Sequence, residues 1–116
     1  MRALITVTRD LPTAPGSSVP NTSPPKVMIV SPPNCLPLPS VTGEGFPELD
    51  ELNRWLPELA KLYGELAIEQ DTYFADADKF CEPDRVDGLH LDIENTRKLG
   101  CGIAKVLEQY VFANTR

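Results

Sequence analysis

The one histidine of the chain, His90, stands three residues after Asp87, with Gly88 between them, in the segment VDGLHLDIENTRKLG that opens at Val86. On a loop, a carboxylate at that spacing folds back onto the imidazole Nδ1 and leaves Nε2 free and basic. That arrangement is the orienting and proton-accepting half of a nucleophilic triad. The carboxylate fixes the tautomer and stabilises the imidazolium formed when a serine gives up its proton. Two plainer readings share the same residues. Asp87 caps the turn and His90 is a surface side chain, or Asp87, His90 and Asp92 approach a cation. No second histidine or nearby cysteine pair completes a metal shell, so no metal is expected. Spacing by itself does not choose between a catalytic pair and a turn.

The elements around this segment follow from periodicity. Lys26–Ser31 (KVMIVS) is a continuous apolar and β-branched run closed by Pro32-Pro33, as in a strand of a parallel sheet buried on both faces. Leu49–Ile68 carries apolar residues at helical spacing, with Pro57 predicting a kink or a helix proper that begins there. Thr72–Ala77 reads as a second strand. Ile93–Phe112 reads as the last helix, with Asp92 as its N-cap and Leu99, Ile103, Val106, Leu107 and Tyr110 on one face. Met1–Thr8 is a short apolar-rich piece whose type its pattern leaves open, the tail of a helix being one reading. Strand–helix–strand–helix at these lengths is the rhythm of a doubly wound α/β fold.

Composition excludes several functions. The chain has 116 residues, 11 Lys+Arg against 17 Asp+Glu, and a net charge of −6. A field of that sign does not attract phosphate arrays, so neither nucleic acid nor an anionic membrane is expected as the main partner. No membrane span is expected either, because the longest apolar run, Val27–Val30, falls far short of the roughly twenty residues a bilayer requires. The expectation is a soluble, cytoplasmic protein. Most of the 12 prolines lie between Leu11 and Pro47, and residues 11–25 form a Pro/Ser/Thr-rich stretch expected to be a loop within one domain, 1–116. The acidic segment Asp76–Asp87 reads as a solvated loop. Cys35, Cys81 and Cys101 fit neither a disulfide framework nor a metal knuckle. Cys101, between two glycines of the last helix, is expected to be buried, and the Pro-Pro-Asn turn before Cys35 leaves that thiol open to exposure. Trp55, Tyr63 and Tyr110 are expected in core or interface packing.

The wording around the Asp–His pair resembles the last block of the SGNH, or GDSL, esterase and lipase superfamily. Asp87-Gly88-Leu89-His90-Leu91, then Asn95-Thr96-Arg97-Lys98-Leu99-Gly100 and Ile103-Ala104, match that block at most positions. The strand Lys26–Ser31 running into Pro32-Pro33, the helix Leu49–Ile68 and the strand Thr72–Asp76 follow in the order found there. The resemblance covers about Lys26–Val111. It implies a three-layer α/β/α, flavodoxin-like fold, a small ester substrate and no cofactor. It also implies hydrolysis by a serine nucleophile, with Asp87 as triad acid and His90 as general base.

The departures are as informative. The chain holds no Gly-Asp-Ser block for the nucleophile and no Asn-Asp for the Gly-x-Asn-Asp block of the oxyanion hole. Ser17 and Ser18 follow Gly16 with no strand before and no helix after to make an elbow, and Asn34 and Asn53 are misplaced for the oxyanion asparagine. The chain therefore resembles the C-terminal half of such an enzyme, with Met1 as an internal or misassigned start. Two expectations follow: the chain alone is inactive by the family mechanism, and Val27–Val30 needs a partner chain or a second copy to cover the sheet edge. The alternative is a non-catalytic remnant or interaction protein that retains the fold fragment.

Overall fold

Two parallel strands lie at the centre of the chain. The computed structural model describes residues 1–10, 25–37 and 47–112. Strand β1 (Met28–Ser31) pairs in parallel with β2 (Tyr73–Asp76), in the register Met28↔Tyr73, Ile29↔Phe74, Val30↔Ala75, Ser31↔Asp76. A parallel pair needs a long crossover, and helix α2 (Pro47–Glu69) lies between the two strands in the chain and packs against both. The fold is thus α/β with parallel strands. Most of the Pro/Ser/Thr-rich stretch, residues 11–24, lies outside the described residues.

The amino-terminal piece is helical over Arg2–Asp10 (α1). Its Ile5 is 2% exposed and joins Ile29 and Ala67 in the core, with Val27, Tyr63, Leu66 and Phe74 packed around them. At the far end of α1, Arg9 Nη2 donates to the Asp71 carbonyl (2.8 Å), just past the end of α2. That end has Schellman geometry: Thr72 N–H donates to the Ala67 carbonyl and Asp71 N–H to the Ile68 carbonyl. Asp71 takes the left-handed position (φ 50°) that glycine usually fills. Short polar side chains tolerate it better than most.

Helix α2 runs through Pro57; it does not begin there. The proline ring deprives the Asn53 carbonyl of its usual i+4 donor. The side chain of Asn53 separately bonds to Cys35, accepting from its N–H (2.7 Å) and donating to its carbonyl (2.8 Å). This clamp holds the chain leaving β1 against α2. It also buries Cys35, which the sequence left open to exposure, whereas Cys101 is exposed where burial was expected. Gly100 and Gly102 flank Cys101 without enclosing it. Helix α3 (Ile93–Leu107) buries Gly102 and Val106, and Cys101 lies on its other side. Trp55 is 66% exposed, so it takes no part in the core of this chain.

The expectation that β1 is buried on both faces is corrected. Ile29 and Ser31 are buried, but Val30 between them is 37% exposed, so among the described residues only one face of the strand is fully covered. At its carboxyl end the Ser31 hydroxyl donates to Asp76 Oδ1 (3.1 Å), across the sheet. Asp76 also caps a 3-10 turn, Ala77–Lys79. Asp78 of that turn then accepts from both the backbone N–H (2.8 Å) and the side-chain amide (3.1 Å) of Asn34. The segment after β2 is therefore pinned, not simply solvated: Ala77, Cys81 and Pro83 are all buried. Helix α3 starts where periodicity placed it and gives way at Glu108–Phe112 to a wider π-turn, and Tyr110 of that turn lies against Tyr73, the rings tilted by 40° with centroids 6.4 Å apart. No helix among the described residues is long and apolar enough to cross a membrane.

Candidate active site

The Asp–His pair sits on the loop between the 3-10 turn and α3. Asp92 caps α3: its Oδ1 accepts from both the N–H (2.7 Å) and the side-chain amide (3.0 Å) of Asn95, which turns the Asn95 Oδ1 back along the chain. Asn95 is 7% exposed, and its Oδ1 accepts from the Glu82 N–H (3.2 Å). The two ends of the loop are thereby tied together. Gly88 has φ 70°, the left-handed conformation that its lack of a Cβ permits, and its carbonyl accepts from Leu36 N–H (2.9 Å). The loop is thus anchored to the segment that leaves β1.

Within this frame one Asp87 oxygen accepts from the backbone N–H groups of Leu89 (2.8 Å) and His90 (2.9 Å). The other lies 2.5 Å from His90 Nδ1. A carboxylate only accepts when ionised, so the proton belongs on Nδ1. Nε2 is then the basic nitrogen, on a side chain that is 77% exposed. Asp87 is held down at about 2, first by the His90 ring hydrogen bond and then by the two backbone N–H groups. The Asp87 hydrogen bond and charge push His90 upward from its ordinary value. Both shifts favour the charged pair.

Asp87 and His90 are therefore brought together as their spacing requires, while Asp92, the third member of the cation reading, is occupied as a helix cap. No group of His, Cys, Asp or Glu among the described residues is arranged to hold a metal ion. Ser31 is fully buried and bonded to Asp76; Ser17 and Ser18 lie outside the described residues. A cleft of about 380 Å³ opens at the carboxyl ends of the strands between Asn34, Lys61, Asp76 and Lys79, and neither Asp87 nor His90 lines it. Sequence reasoning missed Asp84 and Asn95, the two residues that shape the loop. Their signals were a Pro-Asp turn start at Pro83-Asp84 and the Asp-x-x-Asn spacing from Asp92.

No family model matches the chain, and no curated protein matches it either. Solved structures do. A carbohydrate acetylesterase from Sinorhizobium meliloti is 30% identical with a TM-score of 0.69, over 94% of this chain and 48% of that one. The inhibitor-bound aryl esterase of M. smegmatis is 30% identical with a TM-score of 0.70, over 91% and 47%. A putative arylesterase from Agrobacterium tumefaciens is 29% identical with a TM-score of 0.63, over 94% and 48%. The chain spans about half the length of each of these structures. The resemblance carried by Asp87-Gly88-Leu89-His90 thus extends over nearly the whole chain, which has the α/β fold of the SGNH-type esterases across about half of that fold's length.

Proposed function

We propose that this chain supplies the acid–base pair of a carboxylic ester hydrolase of the SGNH type. The observation that carries the reading is the 2.5 Å Asp87–His90 pair on a loop clamped at both ends, in a chain similar to esterases. A serine supplied from outside this chain gives its proton to His90 Nε2 as its oxygen bonds to the ester carbonyl carbon. The tetrahedral intermediate collapses with cleavage of the ester C–O bond, and the leaving alkoxide takes the serine's proton from the imidazolium. Water then hydrolyses the acyl-serine, with His90 again as base, releasing the acid and restoring the serine. Asp87 keeps the Nδ1 proton in place throughout and stabilises the transient imidazolium. The similar structures are named as carbohydrate acetylesterase and aryl esterase, so acetylated sugars and aryl esters are the substrate classes to try first.

The test uses a chromogenic aryl acetate and a complementing polypeptide that carries the Gly-Asp-Ser and Gly-x-Asn-Asp blocks of a similar esterase. The chain alone is expected to show background hydrolysis. The complemented chain is expected to exceed its His90→Ala variant by about a thousandfold or more, the usual weight of a triad base. Equal rates for the complemented wild type and His90→Ala overturn the proposal. That result would favour the second reading, a non-catalytic interaction protein, which the missing nucleophile and oxyanion blocks support.

A further inference from the structure

We infer that Asp84 is the positioning residue of the Asp87–His90 pair: it fixes the backbone from which Asp87 reaches the imidazole. The inference rests on the ester-hydrolase reading for its functional meaning and on the loop geometry for its content. Four hydrogen bonds converge on this residue. Its Oδ1 accepts from the N–H groups of Val86 (2.7 Å) and Asp87 (3.4 Å). Its carbonyl accepts from Gly88 N–H (3.0 Å), and its own N–H donates to the His90 carbonyl (2.8 Å). The last bond closes Asp84–His90 into a ring, and the side chain then ties down the half of the ring that bears Asp87. Asp87 repeats the same device two and three residues further on, at Leu89 and His90. One carboxylate sets the next, and the second sets the histidine.

The side chain of Asp84 touches neither the ester nor the imidazole in this scheme; its charge reaches His90 through space, and its hold on the backbone acts through Asp87. Its deletion releases the Val86 and Asp87 N–H groups to water and gives Asp87 backbone freedom that its bond to Nδ1 must then overcome. Asparagine keeps an acceptor oxygen at the same place and removes only the charge.

Nitrogen-15 NMR of the full chain tests this, because His90 is the only histidine and gives a single imidazole spin system. The neutral-state ratio of Nδ1–H to Nε2–H tautomer reports the Asp87 bond directly. Asp87→Ala sets the floor of that ratio. Asp84→Ala is expected to lower it about fivefold, the equilibrium weight of one net hydrogen bond. Asp84→Asn is expected to restore the wild-type ratio. Far-UV circular dichroism of both variants is expected to match the wild type. An unchanged ratio in Asp84→Ala overturns the inference, as does a fall in Asp84→Asn equal to that in Asp84→Ala. Global loss of helix in Asp84→Ala overturns it too, by assigning the residue to the fold rather than to the pair. None of these readouts uses an ester, so failure of the hydrolase reading and failure of the positioning role remain separate results.

Discussion

Two glycines two residues apart, and so on opposite sides of α3, Gly100 and Gly102, give the sharpest test of how that helix is seated beside the site. Both lie in the same helix. A methyl group on Gly100 meets nothing within 4 Å, so Gly100→Ala keeps only the helix-propensity gain, about 0.8–1 kcal/mol. A methyl group on Gly102 falls 2.2 Å from the Phe80 Cγ and 2.5 and 2.6 Å from its Cδ atoms. Carbon atoms in contact prefer about 3.5–4.0 Å, so the ring has to retreat by more than an ångström. Flipping the ring does not help, because Cγ lies on the flip axis.

Overpacking of this kind costs about 1–3 kcal/mol. Both variants share the propensity gain, so the difference between them isolates the clash at about 1–3 kcal/mol in favour of Gly100→Ala. The assay is urea unfolding followed by helix ellipticity, with m compared across variants to confirm that only stability has changed. The expected order of midpoints is Gly100→Ala, wild type, Gly102→Ala. A midpoint for Gly102→Ala at or above that of Gly100→Ala refutes the packing of α3 on Phe80. A cycle with Phe80→Ala adds a check, since the cost of the methyl group should largely vanish once the ring is gone.

The Asp87–His90 pair gives a pH signature whose sign is fixed by the two shifts. His90, raised from 6.5, contributes below that value and loses its contribution as pH rises through its folded pKa; Asp87, held at about 2, contributes above 3.8 and fails as pH falls through about 2. The wild-type stability advantage over Asp87→Asn should therefore be greatest between those limits, and a flat difference from pH 3 to 9 argues against the pair. Asn95→Leu should lower stability by about 0.5–1.5 kcal/mol in the same urea assay, because it removes the bond that Asn95 Oδ1 accepts from the Glu82 N–H. Among the three thiols, Cys101 should react fast with an aromatic disulfide, while burial keeps Cys35 and Cys81 slow and raises their pKa. Light scattering of the purified chain should show self-association through the half-covered strand β1; a well-behaved monomer at all concentrations sinks that expectation.

What the sequence made legible was what short-range physics controls. The Asp-x-x-His turn, the Asp92 cap and the apolar run of β1 are local patterns, and each is where the spacing put it. What it hid depends on partners distant in the chain. Cys35 is buried because Asn53, 18 residues away, clamps its backbone, and no local pattern at Cys35 announces that. Cys101 is exposed because the described residues pack against the other side of α3, the one that carries Gly102 and Val106. Asp84 was overlooked because its work is done through backbone N–H groups, which a sequence does not display. Val30 is the residue where both lessons meet. Its run reads as a strand covered on two faces, yet it is 37% exposed beside a buried Ile29. The pattern and the exposure conflict only if the described residues are taken as the whole sheet. The similar esterases are about twice as long as this chain, and a strand composed for the middle of a wider parallel sheet has this composition and this bare face when half the fold is seen.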